Sequence, residues 1–528
     1  MINWKGSQRL SMAAMIMAGS VFLSRAMGFI RDMTISRWFG AGQEADIYFT
    51  AFVVPDFLNY LMAGAYFSIT LIPILAQAFE EDEASGWQMF SAIFCGMLLA
   101  SSVLIAAAMV YAPELARLAA PGFDAVASAR LTHFLRIILP AQVFFLVGSC
   151  LSAILYIRKQ FLVPALTPIC YNGAIIGLGA LVLGSGIDGF CWGVLVGAFI
   201  GSLALPLLAV IRTGGLSLSL RFRHTGLRRF LLLVLPLMIG QSVVVLDEQL
   251  LRIFGSLAGT GAVSWLNYAR HIMLVPVGMV AQAVGVASFP FLAQLAVQKE
   301  SERFNATLAA ALRTTTLLLL PLGVWMFAAA EPIVAVTFQQ GQFGSADTAA
   351  TVPCLRLMLV GVVAWGVLQI IGRAFYAYQD MLTPAVTGSI ITLVALPLYW
   401  WFTRYWGANG AALVSLSAVV GYAMAIGLLW RRRFGSGGLI GLGRVCFWCF
   451  CLSLIAVLPA WLLLQLSWLG ISPWPILDYT VALAVSVVCF IVVFLVFGQC
   501  YIPDLVRPVQ KYLECLARLG RGGPAASV

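Results

Sequence analysis

Long apolar segments separated by short polar connections recur along the whole chain. A membrane-spanning α-helix needs about 20 consecutive apolar residues, and segments of that length extend almost from end to end. The pattern predicts an all-α polytopic membrane protein with about 14 transmembrane helices. The predicted spans are residues 11–36, 45–78, 88–112, 130–156, 164–184, 189–211, 228–254, 262–296, 307–329, 351–377, 384–403, 409–430, 443–466 and 475–498. The second and eighth exceed the length that a bilayer requires and contain internal Pro and Gly, so we expect bends there.

A repeat divides the predicted spans into two sets. Tyr156 is followed eight residues later by Pro164-Ala165, and Tyr376 by Pro384-Ala385, an offset of 220 residues. Each half then contains six predicted spans, followed by two added ones. Because six is an even number, the two halves share one orientation and are related by an axis along the membrane normal. The predicted domains are an N-terminal lobe (1–215), a C-terminal lobe (216–435), two added helices (436–500) and a cytoplasmic amphipathic tail (501–528).

Composition and charge settle the class and the orientation. The chain is 62% hydrophobic and 10% charged, with 31 basic against 21 acidic residues. The basic residues lie between or inside the spans, which indicates membrane orientation and ligand binding rather than a nucleic-acid partner. Most basic connections share a side with the N-terminus, so both termini are predicted to be cytoplasmic. The N-terminus resembles a signal peptide but lacks a convincing cleavage site, so we predict a retained first span.

The first span carries charges where lipid offers them no partner. Arg25 lies ~14 residues, or ~21 Å, into this helix, too deep for its side chain to reach the inner surface easily. We therefore predict that Arg25 is a cation facing a cavity. Asp32 follows two turns later on the same face and is a potential partner for Arg25. Arg31 points about 120° away, and both an interfacial anchor and a substrate contact remain open for it.

The second half supplies further candidates. Arg270 and His271 lie in the eighth span, about a third of the way along it. In one interpretation Arg25 and Arg270 converge on a phosphate group, for which a planar guanidinium is well suited. In the other, Arg270 forms a structural pair with a carboxylate. Other charged residues in or near the spans are predicted to act in gating or structure, namely Asp247, Glu248, Arg373 and Asp380.

Motifs for catalysis and cofactors are missing from this sequence. The chain has three His, no H-E-x-x-H, and no phosphate-binding Gly-Lys-Ser/Thr loop. We predict a transporter without a covalent reaction, a cofactor or a metal, whose energy comes from a gradient of Na⁺ or H⁺, the membrane potential or the supply of substrate. Cys446 and Cys449 lie inside a predicted span with no His nearby, which favours packing over metal binding.

Several motifs, in the correct order along the chain, resemble the MurJ/MviN family of bacterial lipid II flippases, within the multidrug/oligosaccharidyl-lipid/polysaccharide exporter superfamily. The matching segments are Ser24-Arg25-x-x-Gly28-Phe29-x-Arg31-Asp32, Phe39-Gly40-Ala41-Gly42-x-x-x-Asp46, Ala120-Pro121-Gly122-Phe123-Asp124, Ser264-Trp265-Leu266, and Arg373-Ala374-Phe375-Tyr376-Ala377.

The resemblance implies two lobes around a central cationic cavity that receives an undecaprenyl-pyrophosphate-linked sugar. It further implies alternation between inward- and outward-facing states, and a groove lined by the last two helices for the lipid tail. Arg25, Arg31 and Asp46 match family residues of functional importance. The implied setting is the bacterial inner membrane and peptidoglycan biosynthesis, hence cell-wall biogenesis and cell shape, with membrane lipids as neighbours and a monomeric chain.

Two positions depart from the family pattern. The second span has Asn59-Tyr60 where the family usually has an Arg pair, so Asn59 becomes a candidate substrate contact. Arg270-His271 stands where the family has Asp-Arg, which displaces the cation by ~100° around the helix. The alternatives are therefore a flippase for another polyprenyl-linked glycan, an ion-coupled drug or metabolite exporter, and a membrane glycosyltransferase.

Overall fold

The computed structural model describes residues 10–62, 66–182, 186–213, 226–228, 230, 232, 243–466 and 475–501. These residues form α-helices joined by short turns, and no strand occurs among them. The predicted all-α membrane fold is confirmed. Residues 502–528 of the predicted amphipathic tail, and most of the connection between Arg212 and Arg229, lie outside the described residues.

The α-helices are numbered here in chain order. They are α1 (Leu10–Phe39), α2 (Gln43–Thr50), α3 (Val53–Met62), α4 (Tyr66–Glu81), α5 (Glu83–Val110), α6 (Ala112–Ala119), α7 (Ala125–Ile138), α8 (Ala141–Ile157), α9 (Leu162–Leu181), α10 (Asp188–Gly197), α11 (Leu205–Thr213), α12 (Val243–Gly255), α13 (Ala262–Pro276), α14 (Gln282–Gln298), α15 (Ser301–Ala328), α16 (Ala330–Phe338), α17 (Ser345–Val360), α18 (Val362–Ala377), α19 (Leu382–Phe434), α20 (Leu442–Leu466) and α21 (Pro475–Tyr501). Two π-helical turns, Ala198–Ala204 and Val277–Ala281, and two 3₁₀ turns, Ser256–Ala258 and Gly437–Leu439, interrupt them.

Within the described residues, nine helical segments are long and apolar enough to cross a membrane, or ten if α17 and α18, bent by 43°, count as one span. The predicted count of about 14 is therefore not confirmed. The second predicted span is interrupted between α2 and α3, and the eighth contains the second π turn. The bends expected in these two spans stay predictions. The eleventh and twelfth spans run on as α19, interrupted by Gly407 at φ 59° and ψ −139°, a conformation that glycine adopts without Cβ strain.

The 220-residue repeat recurs in the local backbone. Helices α7 and α17 begin 220 residues apart, at Ala125 and Ser345, and α9 and α19 do so at Leu162 and Leu382. Just before α9 and α19, Lys159 and Gln379 adopt left-handed conformations with φ of 56° and 60°. Such angles are uncommon for residues other than glycine, so their recurrence at one offset supports the repeat.

The chain forms two compact units. Unit 1 comprises Met1–Gln241, Val245–Asn267 and Gly341–Phe343, and unit 2 comprises the remaining residues. A core in unit 1 packs aromatic and aliphatic side chains of α4, α5 and α8. In unit 2, Leu317 of α15 packs with Cys449 of α20 and Phe490 of α21. Cys449 is thus a packing residue. The lobe boundaries at 215 and 435 stay predictions.

Candidate functional site

Three charged residues in the middle of α1, Arg25, Arg31 and Asp32, are placed differently. Arg25 is exposed and, within the part of the chain that the structure describes, makes no hydrogen bond or ion pair. Arg31 donates from Nε and Nη2 to Asp32 Oδ1, at 3.1 and 3.0 Å, and from Nη1 to Asn172 Oδ1 at 3.5 Å. The expected Arg25–Asp32 pair is therefore wrong. Two helical turns span ~11 Å, whereas the adjacent Arg31 folds back onto Asp32 directly.

A polar cavity of about 410 Å³ lies within unit 1. Asp56 and Asn59 line it from α3, where a spacing of three residues puts both on one face. Helices α8 and α9 and the π turn Ala198–Ala204 supply most of the remaining wall. Its hydroxyl and amide groups come from Asn59, Gln142, Ser149, Ser152, Thr167, Tyr171 and Ser202. The predicted contact Asn59 thus faces a cavity able to form hydrogen bonds.

Arg252 of α12 joins two carboxylates beside this cavity. Its Nη1 donates to Asp56 Oδ2 at 3.1 Å, and its Nη2 donates to Glu248. Gln249 Nε2 also donates to Asp56 Oδ2, at 3.2 Å. Arg252 is 8% exposed and the neighbouring Asp247 1% exposed. Glu248 is therefore part of an ion-pair network that fixes α12 against α3.

Asp46 closes the N-terminus of α13. Its Oδ2 accepts from the Gly261 amide at 2.5 Å, and its Oδ1 accepts from the Ser264 amide at 2.8 Å and the Ser264 hydroxyl at 2.6 Å. The first turn of a helix leaves its amides without intrahelical partners, and a carboxylate is the group that satisfies them best. These bonds engage both carboxylate oxygens of Asp46. They also explain why the Asp46 and Ser264 motifs occur together in this sequence.

Unit 2 contains Arg270, His271 and Arg373, three further residues that the sequence analysis singled out. Arg270 is 4% exposed, with its guanidinium carbon 5.2 Å from the centre of the Trp365 ring, within the range of a cation–π contact. His271, the next residue, is half-buried. Arg373 lies so close to α14 that a Cβ on Gly285 would come within 1.7 Å of its Nη1. Arg373 is thus packed against a helix that needs glycine at that point.

Asp380 caps α19 in the turn between α18 and α19. Its carboxylate accepts from the Thr383 amide at 3.0 Å, the Thr383 hydroxyl at 2.7 Å, and Arg433. Burial acts to raise the pKa of Asp380, but the hydrogen bonds from Thr383 and the charge of Arg433 outweigh it. The pKa of this carboxyl therefore lies below its ordinary value.

We expect Asp380→Asn to lower thermal stability at neutral pH. Because the folded state depresses the pKa, the stabilisation is complete above the ordinary pKa of 3.8 and is lost as the pH falls through the lowered folded-state value. Thermal midpoints of the parent protein and the variant, measured from pH 7 downward, should converge at acid pH. Arg433→Gln removes one of the three donors and should give a smaller difference. A gap that does not change with pH would contradict this assignment.

An apolar groove of about 270 Å³ lies in unit 2. Residues of α15, including Leu317, Pro321 and Trp325, form one wall, and residues of α21, including Phe490 and Phe494, form the other. Among the described residues, α21 lines this groove and α20 does not. The lipid-tail groove between the last two helices stays a prediction. The side chains at Cys449 and Ala456 of α20 are instead buried in the unit 2 core.

Sequence reasoning missed Asp56, Gln142 and Ser202. Each is a polar residue inside an apolar span, which is the signal that points to Arg25 and Arg270. Asp56 follows Pro55 directly and lies three residues before Asn59. The signal marks such positions, but it does not indicate which groups they contact.

These features define a class. An all-helical membrane protein with a 220-residue repeat, interrupted spans and a polar cavity among them is a polytopic membrane transporter. An inward-facing multidrug resistance MATE family transporter of the MOP superfamily has a similar fold, with a TM-score of 0.64 at 15% identity, over 79% of this chain and 96% of that one.

The particular family follows from three further findings. A family model described as lipid II flippase MurJ matches residues 35–477. The lipid II flippase MurJ of Burkholderia cenocepacia is 28% identical over 514 residues, 93% of this chain and 96% of that protein. The solved structure of lipid II flippase MurJ in an inward closed conformation has a TM-score of 0.78 at 22% identity, over 93% of this chain and all of that one. The chain belongs to the MurJ family, and the resemblance predicted from the motifs is confirmed.

Proposed function

We propose that this chain translocates lipid II, the undecaprenyl-pyrophosphate-linked peptidoglycan precursor, from the cytoplasmic to the periplasmic leaflet by alternating access. The observation that carries the proposal is the MurJ family match over residues 35–477, with a curated MurJ relative aligned over 93% of the chain. The MATE likeness concerns the fold alone, so it favours no drug substrate.

Arg25 is the residue best suited to hold the pyrophosphate. A guanidinium binds phosphate oxygens through parallel N–H bonds, and away from bulk water such bonds are strong. Arg25 is exposed and needs to break no bond to a described residue in order to bind. Arg31, by contrast, is held by Asp32 and Asn172. In this proposal Arg25 binds the anion, while Arg31 supplies charge from a fixed position.

Alternating access requires helices that bend at defined places. The fold offers three in unit 2: the π turn Val277–Ala281, the 43° bend between α17 and α18, and the interruption at Gly407. Hinges are residues or turns that absorb a change in backbone angles while the flanking helices move as rigid bodies. We assign the hinge role to these interruptions.

Depletion of the native protein tests the function, with Arg25 variants supplied in its place. We expect depletion to leave lipid II in the cytoplasmic leaflet and the wild-type chain to restore its appearance outside. Arg25→Ala should reduce the translocation rate about 10- to 100-fold, the range for losing charge-assisted bonds to a phosphate. The readout is the fraction of lipid II accessible from the periplasm. Arg25→Lys, which keeps the charge but not the fork, should fall between.

Arg303→Ala is the matched control. This arginine is 77% exposed at its side chain and, among the described residues, pairs with the nearby Glu300 alone, so its loss should leave translocation unchanged. An unchanged distribution of lipid II after depletion would overturn the proposed function. Full activity of Arg25→Ala in a chain that does flip lipid II would remove only the role of Arg25.

The remaining expectations belong to the same proposal. We assign no covalent step to the chain, and incubation of the purified protein with lipid II should yield no new product. Translocation should depend on an Na⁺ gradient, an H⁺ gradient or the membrane potential, each of which proteoliposomes test separately. Tags at both termini should be accessible only from the cytoplasm, and native mass spectrometry should give the mass of a monomer.

A further inference from the structure

The polar cavity of unit 1 lies where four transmembrane segments are irregular. Helix α3 begins after the break at Ala51-Phe52, and α8 begins after the break at Leu139-Pro140. The π turn Ala198–Ala204 and Pro168 within α9 complete the set. Irregular backbone at membrane depth persists only where it is buried in protein or lines a polar cavity, and π turns cluster at functional sites. The irregularities therefore surround a site rather than a packed core.

Two buried polar atoms at this cavity have no partner among the residues that the structure describes. Gln142 and Ser202 are each 5% exposed, and both line the cavity. Gln142 Oε1 and Ser202 Oγ form no hydrogen bond with any residue that the structure describes. A buried polar atom is stabilised when it gains a hydrogen-bond partner, so these two favour a ligand with donors and acceptors of its own.

The charges beside the cavity favour a neutral ligand. Asp56 is the charged residue among those lining it, and Arg252 and Gln249 already bind its carboxylate. A phosphate would be repelled by Asp56, and a metal cation would compete with Arg252. The aromatic rings of Phe145 and Tyr171 meet edge to face at 5.3 Å and present C–H surface. Hydroxyls, amides and aromatic rings in one cavity of about 410 Å³ suit a sugar.

The position of the cavity relative to Arg31 also favours a sugar. Arg31 contacts Asn172, which lies in α9 next to the cavity residue Tyr171. In a pyrophosphate-linked glycan, the first sugar is bonded directly to the phosphate. A sugar in the cavity would therefore place its phosphate on the side of α9 that the Arg31 guanidinium contacts.

We infer that this cavity binds the sugar next to the pyrophosphate, with Gln142 and Ser202 forming hydrogen bonds to its polar groups. This inference rests on the proposed function and adds a second recognition site to it. That site binds the glycan, whereas the first binds the negatively charged pyrophosphate. The protein would then distinguish a loaded carrier lipid from the bare one. Asn59, which is half-buried in the same cavity, is a further contact.

The test compares the binding of two lipids to the full-length protein in nanodiscs. One is lipid II and the other is undecaprenyl pyrophosphate, which has the same tail and pyrophosphate but no sugar. Gln142→Met combined with Ser202→Ala should weaken lipid II binding about tenfold, as expected for two lost hydrogen bonds, and leave undecaprenyl pyrophosphate binding unchanged. Asn59→Leu, at a less buried position, should act in the same direction without endangering the fold.

Ser101→Ala is the matched control, since Ser101 is also buried but its hydroxyl donates to the Leu98 carbonyl in α5, away from the cavity. It should leave the binding of both lipids unchanged. Equal losses for the two lipids, or no loss for either in variants that keep the wild-type thermal midpoint, would overturn the inference while leaving the flippase proposal intact. Failure of the wild-type chain to bind either lipid would instead contradict the proposed function, and the inference with it.

Discussion

Replacing Arg252 with Met is expected to destabilise the protein by about 2–4 kcal/mol, the cost of leaving two partly buried carboxylates without their partner. Arg252 is 8% exposed and binds both Asp56 and Glu248. Methionine keeps much of the volume but offers no donors, so two carboxylates remain close together in a poorly solvated place. The free energy of unfolding in mixed micelles, or the thermal midpoint, measures the effect.

A comparison of single and triple variants separates the charge effect from packing. If the unpaired carboxylates cause the loss, adding Asp56→Asn and Glu248→Gln to Arg252→Met should recover much of the stability. The control is Arg303→Ala, which removes an exposed ion pair worth at most about 1 kcal/mol. Equal destabilisation of the single and triple variants would show that Arg252 acts through packing alone.

Asp46→Ala should cost about 2–3 kcal/mol and loosen the start of α13. The substitution removes the acceptor for three hydrogen bonds at once, two of them from backbone amides in a buried place, and bonds to a charged acceptor are stronger than neutral ones. Hydrogen exchange by mass spectrometry on a peptide containing Gly261 and Ser264 should speed up locally. The thermal midpoint should fall with it.

Asp124→Ala provides the comparison. Asp124 caps α7 with one bond to the Ala127 amide, at 2.7 Å, from an exposed position, which makes it an ordinary helix cap worth about 1 kcal/mol. Asp46→Ala should therefore be clearly the more damaging of the two. If both variants lost the same stability, Asp46 would be no more than another cap.

Features of the fold that depend on local pattern could be predicted from the sequence. The long apolar segments predicted the helices, and the matching Tyr-Pro-Ala spacings after Tyr156 and Tyr376 predicted the repeat. What failed was the pairing of charges. Asp32 stands seven residues from Arg25, and helix geometry puts the two on one face, but the adjacent Arg31 reaches Asp32 first. Facing positions on an ideal helix say nothing about the length and flexibility of a competing side chain.

Partners that come from distant segments were beyond sequence reasoning. Asp56 meets Arg252 across 196 positions of sequence, and Asp46 meets Ser264 across 218. Such contacts depend on how helices pack, for which one sequence holds no direct signal. The same limit applies to Gln142 and Ser202. Their importance lies in the lack of a hydrogen-bond partner among the described residues, which the sequence does not reveal.

The left-handed corners at Lys159 and Gln379 bear on the ancestry of the chain. Their flanking residues differ, Arg158 and Gln160 at one and Tyr378 and Asp380 at the other, yet the backbone turns in the same way at both. Gene duplication would give this result if the backbone conformation was retained while the side chains diverged. The two left-handed residues therefore give a fixed point for aligning the two halves where their sequences are no longer similar.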